Sequence, residues 1–282
     1  MDGEKQLRQQ FQRSRNVGRN AVFGYIYSLF SLLVPFIVRT LVINQFGAEY
    51  LGLNSLFASV LNVLNLADFG FGTAIVYSLY RPVAEGDTET VCAYLGTYKK
   101  LYRIIGCAIL AVGILIMPFL PNLIKDSVIP GNLDLYIWYG IFLVNASVSY
   151  LLYGYKTAIP SALQRNDMLS RIDTVVLLGR SALQVAVLLL SDNFYLYLLV
   201  SLLFTVIRNL LVGWCVDRQY PQYKCSGHIS REQAAALKPQ VYGIMIGKLR
   251  IVSRNGIDSM IVSSIFRKFV FHSAAGSYPA SV

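Results

Sequence analysis

Long apolar runs alternate with short polar segments along most of this chain. A helix needs about 20 predominantly apolar residues to cross a hydrocarbon core of about 30 Å, and six of the runs meet or nearly meet that length. These runs cover residues 21–43, 53–79, 104–124, 135–153, 174–190 and 194–216. A seventh apolar stretch begins near Val241 and is interrupted near Phe266. The pattern predicts an all-α polytopic membrane helical bundle with six complete transmembrane helices plus an interrupted seventh.

Lysine and arginine are distributed unequally between the two sets of connecting segments. The N-terminal stretch and every second segment after it carry 18 of them, whereas the opposite set holds only Lys125. The positive-inside rule therefore places the N-terminus and the basic segments in the cytoplasm, and the chain in the cytoplasmic membrane as a multi-pass protein. The net charge of +10 is explained by this asymmetry, because the basic residues are dispersed over loops. Nucleic acid is not an expected partner.

The polar segments divide the chain into parts. We expect a basic cytoplasmic N-terminal arm (1–20), a six-helix transmembrane lobe (21–216), a cytoplasmic linker (217–240), the start of the seventh helix (241–266) and a tail without membrane character (267–282). The connections 45–51 and 191–193 are so short that the flanking runs should pack as hairpins. Between residues 81 and 103, apolar positions recur at helical spacing, which predicts an amphipathic helix on the inner membrane surface. These positions are Val91, Tyr94, Leu95, Tyr98 and Leu101.

The sequence gives no indication of a cofactor or a metal site. The four cysteines form no C-x-x-C pair, none lies in a predicted outer loop, and their spacing with His228 fits no zinc motif. No phosphate-binding loop, G-x-S-x-G or H-E-x-x-H motif is present, so an enzyme is not expected. The first run is too long for the apolar region of a cleaved signal peptide and should remain as a spanning helix.

Polar side chains follow helical spacing inside several runs, and such residues tend to face protein or a water-filled cavity. Three arginines would favour an anionic ligand, because the guanidinium group binds phosphate through two parallel hydrogen bonds. The candidate substrate-binding residues are Arg39, Arg180, Arg208, Asn62, Asn65, Asn145 and Gln184. Asp68, about midway along the second run, is the candidate for coupling to a cation or a proton.

Structural roles for the same residues stay open at this stage. Arg180 and Arg208 lie some seven to eight residues from the inner ends of their runs, where long side chains can extend to the interface or pair with a carboxylate. Arg39 can anchor the outer end of its helix. Asn62 and Asn65 can join helices, and Asp68 can act within a glycine-rich packing site.

Two consecutive segments carry a family resemblance. FGAEYLGLNSLFASVL (46–61) and LNLADFGFGTAI (64–75) resemble polysaccharide and oligosaccharide flippases of the multidrug/oligosaccharidyl-lipid/polysaccharide exporter superfamily. YRP (80–82), YKKLYRIIG (98–106) and SRNGIDSMIVS (253–263) are looser matches. The resemblance covers roughly residues 15–265.

The resemblance implies a carrier with two six-helix lobes around a central cavity, which moves undecaprenyl-diphosphate-linked oligosaccharide repeat units across the membrane. Its partners would be the lipid-linked oligosaccharide, the lipid bilayer, and a polysaccharide polymerase with its chain-length machinery. This chain would hold the N-terminal lobe and the start of the second, and the departure after Phe266 suggests a truncated, inactive product. A multidrug or peptidoglycan-precursor exporter and a non-transporting membrane fragment remain alternatives. A membrane polymerase or ligase is less favoured, because the outer loops are short and contain no histidine.

Overall fold

A computed structural model describes residues 2–65, 70–123, 134–191 and 193–247, with side chains from residue 16 onward except near the gaps. Within these ranges the chain is all-helical, without a β-strand. The helices are α1 (Asp2–Phe46), α2 (Ala48–Asn65), α3 (Phe71–Glu85), α4 (Thr88–Ile116), α5 (Leu120–Leu123), α6 (Leu135–Leu151), α7 (Ala158–Ala162), α8 (Asn166–Leu190), α9 (Phe194–Gln219) and α10 (231–247). The prediction of an all-α architecture is confirmed for this part of the chain.

Four of the described helices are long and apolar enough to span a membrane: Asn16–Phe46, Thr88–Phe119, Asn166–Leu190 and Phe194–Gln219. A fifth span results if Leu135–Leu151 and Gly154–Ala162, which meet at 54°, are taken together. The structure thus supports four to five apolar spans, which is fewer than the six complete spans of the prediction. The predicted second run is divided between α2 and α3, and residues 66–69 between them are not among those that the structure describes.

Helix α1 is continuous across the predicted boundary between the basic arm and the first span. Its closest neighbour is α8, and the next tight pair is α8 with α9, as expected for the short connection between them. Only 11% of the most apolar window of α1 is buried within the protein, and Tyr25, Leu32 and Phe36 are each more than 70% exposed. A helix with so much exposed apolar surface fits contact with lipid or with another apolar surface.

Two clusters of buried side chains hold the helices together. The first contains Trp138, Phe57, Tyr139 and Phe194 and lies near the end of α1 with the start of α2, and near the start of α9. We call this end of the bundle the hairpin end. There, Phe194 packs at ring-centroid distances of 5.0 Å from Trp138 and 4.8 Å from Tyr50. Edge-to-face aromatic contacts of this kind join the starts of α2, α6 and α9.

The second cluster holds the opposite end of the bundle and corrects one prediction. Helix α4 runs without a break from Thr88, and Val91, Tyr94, Leu95 and Tyr98 are at most 8% exposed. They pack against α3, the segment 155–162 and α9, so the amphipathic stripe does not lie on a membrane surface. The helical period and the apolar face are confirmed, but this face packs against protein because α3 and α9 lie beside it.

Ion pairs concentrate at this second end, which we call the basic end. The carboxylate of Asp167 is 1% exposed and accepts from Arg19 at 2.7 Å and from Arg165 at 3.0 Å, while Arg171 lies 3.7 Å away. The Asn20 side-chain oxygen accepts from the Asp167 backbone N–H at 2.7 Å. These bonds fix the start of α8 against α1, because a carboxylate this buried needs charged partners.

Candidate functional site

A cavity of about 260 Å³ lies among α1, α2, α6, α8 and α9 and borders the aromatic cluster of the hairpin end. Arg39 lies about 10 Å from the end of α1, and Arg180 lies about 15 Å from the end of α8, at 1.5 Å per residue. Along the helix axes both are therefore away from the helix ends, and the Arg39 side chain is exposed whereas that of Arg180 is half-buried. The cavity's remaining polar lining consists of Asn54, Ser55, Asn145, Tyr197 and Ser201.

The structure brings two of the three predicted arginines into this cavity. No carboxylate of the described residues pairs with Arg39 or Arg180, and none lines the cavity. The Nε of Arg180 is buried without a hydrogen-bond partner. Both guanidinium groups act electrostatically on the hydroxyl of Tyr197. A buried donor without an acceptor is costly, so this group is suited to receive an anion.

Asn145 adds a second unsatisfied group to the same wall. Its side-chain oxygen Oδ1 is buried and has no partner, so the cavity lining holds an unsatisfied acceptor as well as the unsatisfied donor of Arg180. The combination fits a ligand that carries both an anionic group and a hydroxyl or amide donor. The positive charge and the unpaired donor of this lining are suited to an anion. Among the described residues no cluster of three or more histidine, cysteine or acidic side chains could hold a metal ion.

Gln184 supports the cavity wall from behind. It is 4% exposed, and its amide nitrogen Nε2 donates to Ser201 Oγ at 2.8 Å and to the Tyr197 carbonyl at 3.4 Å. The predicted polar stripe of α8 thus meets that of α9. In this structure Gln184 positions Ser201, and its predicted contact with substrate stays a prediction.

Arg208 lies outside the cavity lining and is paired. Its Nε donates to Asp173 Oδ1 at 2.6 Å and its terminal nitrogen to Oδ2 at 3.2 Å, a bidentate bond between α9 and α8. Because α9 extends to Gln219, Arg208 is about 16 Å from the nearer helix end. This is farther than the seven to eight residues that separate it from the inner end of the predicted run. Pairing therefore accounts for Arg208 better than extension to the interface does.

Three predicted site residues belong to the second run, and only the side chain of Asn62 is described by the structure. Asn62 is exposed on α2 and does not line the cavity. Asn65 belongs to α2, but its side chain is not described, and Asp68 lies outside the described residues. The predicted roles of Asn65 in substrate binding and of Asp68 in ion coupling therefore stay predictions.

Two polar residues of the cavity, Tyr197 and Asn54, were not predicted from the sequence. Tyr197 precedes Ser201 by four residues, so it shares the polar face of the sixth run, and this spacing was a usable signal. Asn54 lies in the cavity wall and accepts from Trp138 Nε1 at 3.0 Å. No signal in the sequence connects Asn54 with Trp138, because the contact depends on how α2 packs on α6.

Comparisons of the chain with protein-family models, with curated proteins and with solved structures find no match. The function is therefore inferred from the cavity lining and from the family resemblance of segments 46–61 and 64–75.

Proposed function

We propose that this chain forms the N-terminal lobe of a flippase that moves undecaprenyl-diphosphate-linked oligosaccharide repeat units across the cytoplasmic membrane for surface polysaccharide biosynthesis. The observation that carries the proposal is the cavity with two arginines and no lining carboxylate. A charged side chain inside a membrane is costly and normally serves a ligand, an ion or a partner. A diphosphate would supply the opposite charge and four or more acceptor oxygens to Arg39 and Arg180.

The proposed topology has six complete spans and the start of a seventh. The α2 and α3 helices together would be the second span, and the bent pair of α6 with the segment 154–162 would be the fourth. The basic end, with the N-terminus, would face the cytoplasm, since it carries Arg19, Lys156, Arg165 and Arg171. The seventh span would begin within α10.

The size of the cavity is consistent with one lobe of a two-lobed carrier. At about 260 Å³ it lies slightly below the range of 300–1,000 Å³ typical of small-molecule sites. It can hold a phosphate-bearing headgroup, while an oligosaccharide would need the wall of an opposing lobe. Transport would follow from rocking of the lobes about the site near the middle of the bundle. Asp68 would couple this motion to an ion.

The test compares charge removal inside and outside the cavity. We expect the double variant Arg39→Gln/Arg180→Gln, in nanodiscs, to lose binding of undecaprenyl diphosphate by a factor of at least about 30, from two charge-assisted contacts of about 1 kcal/mol or more each. Arg103→Gln removes an exposed charge at the basic end and should bind normally. Undecaprenol, which lacks phosphate, should bind equally weakly to all variants. Unchanged binding by the folded double variant would refute the site.

One alternative within the superfamily is disfavoured by the same cavity. A site for cationic drugs would be expected to carry a carboxylate, whereas the described lining holds two cations and no acid. A peptidoglycan-precursor exporter also handles a lipid diphosphate, so only the sugar separates it from our proposal. Reconstitution with each lipid-linked sugar, scored by protection from an externally added hydrolase, distinguishes the two. A chain that binds both and moves neither would be the non-transporting fragment.

A further inference from the structure

A second cavity, of about 430 Å³, lies at the basic end, far from Arg39 and Arg180. Its walls come from three places in the sequence: Lys99 of α4, the segment that contains Tyr155 and Lys156 after α6, and the end of α9 with the residues that follow it. The proposed flippase mechanism uses none of these residues. The cavity is nonetheless built from well-packed elements, since Tyr155 is 3% exposed.

Positive charge exceeds negative charge in this cavity. Lys99, Lys156 and Lys224 line it, and Asp217 is the one acidic residue among its described lining. The Lys156 ammonium lies 2.6 and 2.5 Å from the two oxygens of Asp217. The Lys156 side chain is 7% exposed, whereas that of Asp217 is 64% exposed, so the carboxylate is the half of the pair that reaches solvent. Among the described residues no carboxylate pairs with Lys99 or Lys224.

Aromatic rings hold the two inner lysines in place. Lys156 Nζ lies 4.7 Å from the centroid of the Tyr153 ring, and Lys99 Nζ lies 5.9 Å from that of Tyr155. Cation–π contacts fix the direction of an ammonium group without neutralising its charge. Both lysines and Cys225 line the same cavity, so the two charges lie on one region of its wall.

The position of the cavity matches the level at which phosphate groups of a membrane lie. Trp214 is 58% exposed on α9, one turn before Asp217, and the Arg218 guanidinium lies 5.3 Å from its ring centroid. An exposed tryptophan beside an arginine at the end of an apolar helix is typical of the interface between hydrocarbon and headgroups. Compact ammonium groups bind phosphate as point charges, and tyrosine hydroxyls can donate further hydrogen bonds.

We infer that this basic-end cavity, lined by Lys99, Lys156 and Lys224 with Tyr155, Tyr223 and Cys225, is a binding site for a phosphate ester. The phosphate would lie between Lys99 and Lys156, and Asp217 would keep Lys156 oriented in the empty site. Phosphate esters reach this level either as the headgroup of an anionic phospholipid or as a soluble compound. The site is independent of the proposed transport function.

The experiment uses Cys225 as a reporter of occupancy. All other cysteines are replaced (Cys92→Ser, Cys107→Ser, Cys215→Ser), and the rate of maleimide labelling of the full chain is measured in nanodiscs. The discs contain phosphatidylcholine alone, or phosphatidylcholine and phosphatidylglycerol in equal amounts; a third arm adds inorganic phosphate to the phosphatidylcholine discs at constant ionic strength. A ligand at ten times its Kd should slow labelling by about tenfold, because it occupies the site in all but about one-tenth of the molecules.

The variants separate a built site from diffuse attraction. Lys99→Gln should raise the Kd by about fivefold, as expected for loss of one lysine at a membrane surface. At the same ligand concentration the slowing of labelling should then fall from about tenfold to about threefold. Arg103→Gln removes an exposed charge one turn further along the same helix and should change nothing. If Lys99→Gln does not fold, as judged by its thermal melting, Lys224→Gln takes its place, because Lys224 is exposed.

Each outcome decides the inference. Protection by phosphatidylglycerol alone assigns the site to a lipid headgroup, and protection by inorganic phosphate assigns it to a soluble phosphate ester. Equal labelling rates in all three arms overturn the inference. Equal loss of protection in Arg103→Gln and Lys99→Gln also overturns it, because the effect would then come from the surface charge as a whole. Failure of the transport proposal would leave all of these rates unchanged.

Discussion

The contact between α4 and α6 offers a quantitative test of the packing that positions the arginine-lined cavity. A Cβ added at Gly113 would lie 2.2 Å from Leu143 Cδ1, 2.8 Å from Cδ2 and 3.0 Å from Cγ. All three contacts involve one side chain that is 2% exposed. Leu143 stands beside Phe142 and two residues before Asn145, both of which line the cavity. Gly113→Ala should therefore disturb the cavity wall through α6.

The magnitude follows from two opposing effects. Inserting a methyl group into a packed contact costs about 1–3 kcal/mol. Replacing glycine by alanine inside a helix contributes up to about 1 kcal/mol of stability. We expect Gly113→Ala to lower the free energy of unfolding by about 1–2 kcal/mol. Gly24 of α1 is the matched control, because a Cβ there meets nothing within 4 Å. Gly24→Ala should be neutral or stabilising.

A double variant isolates the steric contribution. Leu143→Ala alone should cost about 2–5 kcal/mol, since it leaves a cavity in the core. Adding Gly113→Ala to Leu143→Ala should cost nothing further, because the atoms that clash are gone. The assay is equilibrium unfolding of the purified protein in mixed micelles, followed by tryptophan fluorescence. Equal effects of Gly113→Ala and Gly24→Ala, or additive effects in the double variant, would show that the packing is wrong.

Three further expectations rest on single contacts. Asp173→Asn leaves Arg208 without its carboxylate and should lower the free energy of unfolding by about 2 kcal/mol in the same assay. This is less than the roughly 3–5 kcal/mol expected for a fully buried pair, because both side chains are partly exposed. Adding Arg208→Gln should recover part of that loss. Hydrogen bonds from the side chain and backbone of Thr90 lower the pKa of Asp87, which caps α4. The contribution of Asp87 to stability is therefore present above its ordinary pKa and is lost as the pH falls through the lowered value. Melting curves between about pH 2 and 6, the range where carboxyl groups titrate, should show this loss. The variant Asp87→Ala should not show it. Burial raises the pKa of the Cys225 thiol. Alkylation of Cys225 in a single-cysteine variant should therefore reach its half-maximal rate at a higher pH than alkylation of a small free thiol. A half-maximal rate at the same or a lower pH would contradict the burial.

The arginine cavity was predicted from sequence only in part. Helical spacing placed Arg180 and Gln184 on one face of α8 and Asn145 on the inner face of α6, and the structure puts all three within the bundle. Which of them face one another depends on how far each helix is rotated and shifted against its neighbours. Spacing along one helix carries no information about that, so the sequence left pairing of Arg208 with a carboxylate open and did not identify Asp173 as the partner.

The sequence by itself determined the helical character of the described chain and the apolar runs 21–43, 104–124, 174–190 and 194–216, which overlap the four spans that the structure supports. These properties follow from local composition and period, because each helix satisfies its own backbone hydrogen bonds in an apolar medium. Tertiary structure alone decided that the stripe of Tyr94 and Tyr98 packs against protein, that Arg39 and Arg180 line one cavity, and that Lys99 and Lys156 line another at the basic end. Contacts between distant segments depend on packing between helices, in which small residues such as Gly113 set how closely the backbones approach.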